Sequence, residues 1–311
     1  MTNASSTPAP GRLLGIDWGT SNRRAYLVDA AGACLDARAD DQGILAAGPG
    51  FGASLAALLA DLGVGAEVPV LASGMIGSAQ GWRETPYLDI AVPLEQLPAH
   101  LARVDDPALG RACLIVPGYR QGEADGGHAD VMRGEETQLL GALVLEPRRR
   151  TGWFVLPGTH SKWVRIEDGV IRAFTTFMTG ELFATLGKQG TLAPLMAGPD
   201  DAGAFAAGVD AARERAPLSS SLFNVRARVM TGALPAAQAR SFVSGLLIGA
   251  ELVAALALVG GQAGDIVSVA APKLHARYAE AAGRLGLALR ALDPDAVYRA
   301  ALSHFIKEWK A

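Results

Sequence analysis

Apolar positions along the chain fall into short runs separated by small, polar turns, and one arrangement of them occurs twice. Residues 13–17 form an apolar run that ends in a carboxylate. The turn Trp18-Gly19-Thr20-Ser21-Asn22 follows. Residues 23–28 read as a second strand, 29–32 as a tight turn and 33–39 as a third strand. In the second half, residues 153–156 form an apolar strand and Pro157-Gly158-Thr159-His160 the small turn. Residues 161–166 alternate as a strand should, 167–169 turn the chain, and 170–177 give a third strand. Each triplet leads towards a helical stretch, 49–62 in the first half and 180–188 in the second. The Gly-Thr pairs at 19–20 and 158–159 occupy equivalent places, so the pattern predicts a duplicated α/β chain of two similar lobes around a cleft.

The predicted organisation is a disordered tail over 1–11, an N-terminal lobe over 12–133 and a C-terminal lobe over 134–311. The tail lacks the basic start and apolar core of a signal peptide. Residues 241–260 are apolar for about the length of a membrane span. Glu251 interrupts the middle of that run, as do Gly245 and Gly249, and no basic flank sets a topology, so a buried helix is the expectation. With 311 residues, 50% hydrophobic and 19% charged, the chain is long and apolar enough to build real cores. Its formal charge of -3 carries no basic excess for nucleic acid or for an anionic membrane. Two cysteines, Cys34 and Cys113, have no metal-ligand spacing and fit a reducing cytoplasm. Both lie in apolar strand-like runs, which predicts ordinary buried thiols. Oligomeric state is not readable from the sequence, and a homodimer is compatible with it.

Small turns with free backbone N–H groups and hydroxyls cradle phosphate oxygens, and glycine lets the backbone come close. Gly19, Thr20, Ser21 and Asn22 in one lobe and Gly158, Thr159, His160 and Ser161 in the other are suited to gripping a triphosphate. Asp17, at the strand end before the first turn, is placed to hold Mg²⁺, which takes one or two carboxylates and keeps several waters. Lys162 and Arg23 are candidates to neutralise phosphate or a substrate carboxylate, whereas Arg24 reads as a solvated strand residue. A general base is sought in the polar, Gly-rich stretch 125–136, where Asp130, Glu135 and Glu136 are the candidates. Acidic residues at a helix start are also ordinary capping partners, here of a helix over 137–145. The loop Ser73-Gly74-Met75, followed by Trp82 and Glu84, offers the stacking surface and hydrogen bonds that suit a sugar acid.

Several of these segments resemble one known family. Ile16-Asp17-Trp18-Gly19-Thr20-Ser21-Asn22 is similar to the first phosphate motif of the superfamily of actin, heat-shock chaperones and sugar kinases. More specifically, Ser73-Gly74-Met75-Ile76-Gly77-Ser78 with Gly81-Trp82 resembles the 2-dehydro-3-deoxygalactonokinase family. So do Asp130-Val131-Met132-Arg133-Gly134-Glu135-Glu136-Thr137-Gln138 and Leu156-Pro157-Gly158-Thr159-His160-Ser161-Lys162-Trp163-Val164. The likeness continues through Phe177-Met178-Thr179-Gly180-Glu181, Ser221-Leu222-Phe223 and Ser244-Gly245-Leu246-Leu247-Ile248-Gly249, and covers about residues 12–309. The resemblance implies two ribonuclease-H-like lobes of the actin-like ATPase fold, with ATP and Mg²⁺ in the cleft. It implies phosphorylation of the 6-hydroxyl of 2-dehydro-3-deoxygalactonate in galactonate breakdown, upstream of an aldolase. The family's phosphate motifs fall on Asp17, Gly19, Thr20 and Ser21, then on Gly158, Thr159, His160 and Ser161. Its catalytic carboxylate falls within 130–136. One departure stands out. Where the family pattern calls for a Gly-Ser-Pro-like adenosine turn, this chain has Ala270-Ala271-Pro272, which puts two methyl groups near the expected adenine contacts. Two other readings share these residues: a kinase for another keto-deoxy or aldonic acid, and a non-catalytic ATP-binding sensor or chaperone-like protein.

Overall fold

The computed structural model describes residues 10–106, 109–122, 128–260 and 265–309. Most of the expected N-terminal tail, and Asp125 of the acidic stretch, lie outside them. The chain separates into two compact units. The first comprises residues up to 151, residues 165–174 and residues from 294 onward; the second comprises 152–164 and 175–293.

The first unit is built on a six-stranded sheet of order β3-β2-β1-β4-β7-β6. These strands are β1 (Arg12–Trp18), β2 (Arg23–Asp29), β3 (Cys34–Asp40), β4 (Val70–Gly74), β6 (Ala102–Asp106) and β7 (Arg111–Ile115). The first three run antiparallel, and β4 and β7 join parallel to β1. A small sheet adds β5 (Leu88–Asp89), β8 (Tyr119–Gln121) and β9 (Asp130–Met132). One core forms where Leu14, Ile16 and Trp18 of β1 meet α2 (Phe51–Asp61) through Leu55 and Leu58, after the short α1 (Ile44–Ala47). Burying each such side chain contributes about 1.5–3 kcal/mol.

On this unit also lie α3 (Glu135–Leu145) and α9 (Pro294–Lys307). The predicted boundary after Arg133 therefore differs from the observed division, and the reason is steric. A Cβ on Gly15 of β1 would come within 2.3 Å of Leu302 of α9, and one on Gly141 of α3 within 1.9 Å of the Val297 carbonyl. Two glycines thus open the room in which the C-terminal helix seats against β1 and α3. Cys34 is a second correction. It is exposed, because β3 is the edge of the sheet and both its faces are largely solvated, whereas Cys113 is buried and its thiol is pushed up to about 12.

The second unit has the sheet order β12-β11-β10-β13-β14. Its strands are β10 (Gly152–Leu156), β11 (Ser161–Glu167), β12 (Val170–Phe177), β13 (Ile266–Val269) and β14 (Leu289–Leu292). Residues 165–174, at the turn between β11 and β12, belong to the first unit. Counted within each sheet, the second runs 3-2-1-4-5 and the first 3-2-1-4-6-5, so the two share the order 3-2-1-4, as expected of the ribonuclease-H-like lobes that the family resemblance implies. The chain is an α/β protein of the actin-like ATPase fold. The helices here are α4 (Thr179–Leu186), α5 (Ala202–Ala212), α6 (Leu218–Met230), α7 (Ala239–Val259) and α8 (Pro272–Arg284). The long apolar α7 is the buried helix the sequence predicts, with Phe242, Val243, Leu246, Leu247 and Leu252 in the core.

Gly245 interrupts that apolar run for a packing reason. A Cβ there would come within 2.0 Å of the Phe205 carbonyl of α5, and one on Gly208 of α5 within 2.1 Å of the Phe242 carbonyl. The two helices thus meet backbone to backbone. Gly245→Ala is expected to lower stability by about 2 kcal/mol through overpacking. A denaturant midpoint equal to wild type would show that α5 can withdraw without loss.

Candidate active site

In the first unit, the ends of β1 and β4 and the start of α3 converge. Asp17 is opposite Arg24 across the β1–β2 pair and opposite Ser73 across the β1–β4 pair. Cross-strand neighbours of opposite charge attract, and Arg24 Nη2 donates to Asp17 Oδ2 at 3.0 Å. Arg24, expected to be solvated, keeps 41% of its side chain exposed and also links Asp17 to Asp295 of α9, whose carboxylate accepts a 2.7 Å bond from Tyr26. Burial raises the Asp17 carboxyl above its ordinary value, and Arg24 pulls against that shift. The Asp17 side chain keeps 19% of its surface accessible, so a ligand can reach it.

Beside Asp17, the chain must leave β4 sharply. Gly74 does so at φ 88°, a region that disfavours side chains. A Cβ there would come within 2.9 Å of the Trp18 carbonyl and 3.5 Å of Asp17 Oδ1. A Cβ on Gly134, at the start of α3, would be 3.2 Å from the Gly74 Cα. The glycines bring the α3 N-terminus against the β1–β4 end. Ser73 is buried and shares a 2.9 Å hydrogen bond with Tyr298 of α9.

The three acidic candidates have different surroundings. Glu136 is fully buried and accepts from the Gly134 N–H at 2.7 Å and from the Thr137 hydroxyl at 3.1 Å. Desolvation, reinforced by Glu135, pushes its carboxyl up to about 8. Glu135 is partly exposed and accepts from the Arg133 N–H at 3.0 Å. Asp130 sits further back, on the small sheet, where it lines a depression with Asp89, Arg120 and Val131.

The first Gly-Thr turn is closed by Gly19 N–H to the Asn22 carbonyl at 2.9 Å. The Gly19 and Thr20 carbonyls accept from Ile44 and Leu45 at the start of α1. Thr20, Ser21 and Asn22 are left exposed. Arg23, expected near phosphate or substrate, is instead buried. It bonds Asp40 at 2.7 Å and Ser54 at 3.0 Å, and lies over Trp18 at 4.9 Å. Met75 and Trp82 pack on the rim of the core, Trp82 stacked on Phe51 at 6.4 Å, while Glu84 is exposed. Arg133 fastens the Trp82–Glu84 loop by donating to the Thr85 hydroxyl and carbonyl and by covering Tyr87.

In the second unit, Gly158, Thr159 and His160 form an exposed turn between β10 and β11. The N-terminus of α4 closes on it. Glu181 N–H donates to the Thr159 carbonyl at 2.8 Å, and a Cβ on Gly180 would come within 2.2 Å of the Gly158 carbonyl. His160 meets the Glu181 carboxylate at 2.6 Å. Lys162 is buried, and its ammonium donates to Thr176 at 2.7 Å.

Next to this turn is a cavity of about 310 Å³. Phe183, Leu247, Ile248, Leu274 and Tyr278 give it apolar walls, and Gly158 borders it. Thr179, Ser244, Lys273 and Arg277 supply the polar edge. Ala270 and Pro272, expected as adenosine contacts, lie before the α8 residues that line the cavity. Ala271 takes φ -56° as the residue before Pro272, and among the described residues only Asp168 and Arg215 combine a side chain with positive φ. The alanines therefore fit this turn without backbone strain.

Residues 17–305 match the sequence model of the 2-keto-3-deoxy-galactonokinase family. The chain belongs to that family. A Rhizobium meliloti protein named as a probable 2-dehydro-3-deoxygalactonokinase is 38% identical, over 94% of this chain and 96% of its own length. The 2-dehydro-3-deoxygalactonokinase of Escherichia coli is 36% identical, also over 94% of this chain and 96% of its own. A crystal structure from Sinorhizobium meliloti bearing the same enzyme name superposes with a TM-score of 0.86 at 37% identity, covering 94% of this chain and 95% of that one. The chain is thus a sugar kinase by family, and kinases of this kind use ATP and usually Mg²⁺.

In the sequence Arg24 reads only as a solvated strand residue and Glu251 only as a break in an apolar run, and neither Asp295 nor Tyr298 stands out. The pairing of Arg24 with Asp17 was within reach, because a hairpin closing at residues 18–23 puts positions 17 and 24 side by side. Nothing in the linear chain tied Asp295 and Tyr298 to Asp17, more than 270 residues earlier.

Proposed function

We propose that the chain transfers the γ-phosphate of ATP to the 6-hydroxyl of 2-dehydro-3-deoxygalactonate, releasing ADP and the 6-phosphate. The observation that carries this reading is the convergence of an accessible Asp17, the Ser73-Gly74 turn and the Glu135–Glu136 helix start, within a chain of this kinase family. The sugar hydroxyl attacks Pγ, the bond from Pγ to the β-phosphate bridging oxygen breaks, and a carboxylate takes the hydroxyl proton. Glu135 is assigned as that base, because it is reachable, whereas Glu136 is sealed and serves to hold the first turn of α3.

The residues present fit Mg²⁺ bound with nucleotide. Among the described residues no cluster of three metal-ligating side chains exists, and Mg²⁺ characteristically takes one or two carboxylates together with phosphates and waters. Asp17 would hold it, and the ion would supply neutralisation of phosphate charge. The exposed Thr20, Ser21 and Asn22 of one turn and Thr159 and His160 of the other are assigned to phosphate oxygens. The apolar cavity against α8 is assigned to the nucleoside, whose base stacks on apolar walls while polar groups sit at the edge.

The test is ADP release from Mg-ATP with 2-dehydro-3-deoxygalactonate, run beside galactonate and 2-dehydro-3-deoxygluconate. Release that depends on the first acid is the expected outcome, and release with another acid would replace the substrate. No release from protein that binds ATP would favour a sensor. Among Asp130→Asn, Glu135→Gln and Glu136→Gln, the Glu135 variant is expected to lose most turnover, by about 10²–10⁴-fold. Turnover near wild type in all three would place the base outside this segment.

A further inference from the structure

The middle of α7 carries one carboxylate, Glu251, in an otherwise apolar helix, and it is only 3% exposed. A buried ion is costly unless its acceptor sites are filled. Here they are. Oε1 accepts from the Ser161 hydroxyl at 2.6 Å and from Trp163 Nε1 at 2.8 Å. Oε2 accepts from the Thr179 hydroxyl and from the Tyr278 hydroxyl at 2.8 Å. Two donors on each oxygen fill its acceptor sites; burial raises the carboxyl above its ordinary value, and these four hydrogen bonds pull against that shift.

The donors come from distinct places around the second phosphate turn. Ser161 and Trp163 stand on β11 just after Gly158-Thr159-His160, and Thr179 opens α4, the helix whose N-terminus closes on that turn. Tyr278 stands on α8, and both it and Thr179 line the adjoining cavity. One side chain therefore ties together the exit of the turn, the helix closing over it and a cavity wall. We infer that Glu251 is a positioning residue for nucleotide, holding the second phosphate turn and the wall of the nucleoside cavity in register. This role rests on the assignment of that cavity and turn to ATP.

The experiment uses the full chain, with Glu251→Gln and, because a buried substitution can impair folding, Trp163→Phe as a milder variant. Trp163→Phe keeps an aromatic ring, removes one donor from Oε1 and leaves the cavity lining untouched. ADP binding is followed by calorimetry, together with KM for ATP, KM for the sugar acid and the thermal midpoint. Glu251→Gln is expected to weaken ADP binding and raise KM for ATP about tenfold, the scale of one lost hydrogen bond to a charged acceptor. KM for the sugar acid should stay within about twofold, and Trp163→Phe should change the same two quantities in the same direction by less. A fall in thermal midpoint with both nucleotide quantities unchanged would reduce Glu251 to a structural residue and overturn the proposal, as would an equal rise in both KM values. Should Glu251→Gln fail to fold, unchanged nucleotide affinity in Trp163→Phe would overturn it. Wild-type protein that fails to bind ADP would overturn the assignment of the cavity, and this role with it. Wild-type binding with unaltered variants would overturn this role alone.

Discussion

Asp17→Asn is expected to cut turnover on the order of 10²–10³-fold, the scale of losing one preorganised electrostatic group at a reacting centre, while leaving the fold in place. Asparagine keeps the shape of the side chain and can still accept from Arg24, and Arg24 retains Asp295 at 3.5 Å. What is lost is the negative charge at the accessible end of β1. The main-chain register that builds the site, Asp17 against Ser73 and against Arg24, does not depend on that charge. Steady-state turnover measured beside a thermal melt separates the two effects. Turnover near wild type would take Asp17 out of the reaction, and a collapsed melt would make its pairing with Arg24 structural.

The second large effect concerns pH and stability, through Glu136. Its ordinary value is 4.5, and in the folded chain burial pushes it up to about 8. Between those values the folded state binds a proton that the unfolded state has released, so stability falls as pH rises. The contribution of the neutral carboxyl is fully present below about pH 4.5 and is lost by about pH 8. The slope has an upper bound of about 1.4 kcal/mol per pH unit. Glu136→Gln cannot ionise and keeps an acceptor for the Gly134 N–H. Wild type is therefore expected to lose stability relative to this variant as pH rises from 5 to 8. Denaturation midpoints across that range, without nucleotide or magnesium, provide the check. Parallel curves would mean that Glu136 ionises in place at little cost, against the burial argument.

Both Gly-Thr turns and the acidic segment were legible in the chain as structural features, because each is local. A strand ending in Asp17, a Gly-Thr turn and a returning strand lie within one stretch of sequence, and hairpin geometry then fixes their register. The duplication was legible for the same reason, and the two sheets reproduce it in their shared 3-2-1-4 strand order. What a basic residue faces was less legible. Arg23 and Arg24 are neighbours in sequence but point to opposite faces of β2, as side chains in a strand must. One is buried over Trp18 and bound to Asp40, while the other faces Asp17.

The sequence by itself determined the class of the protein: a duplicated α/β chain with two Gly-Thr turns, a buried central helix and the motifs of one kinase family. Periodicity, turn chemistry and local register carry that information, and all act over a few residues. Tertiary structure decided which unit owns α9, because only packing shows Gly15 and Gly141 making room for it. It also distinguished Glu135 from Glu136, since adjacent positions on a helix turn point about 100° apart and only the surrounding core decides which is desolvated. It gave Glu251 its meaning as well. In the sequence that residue is an acid spoiling an apolar run; in the fold it is the common acceptor for four donors from three other elements. Burial and long-range hydrogen bonding are properties of the assembled chain, and no pattern over a few residues encodes them.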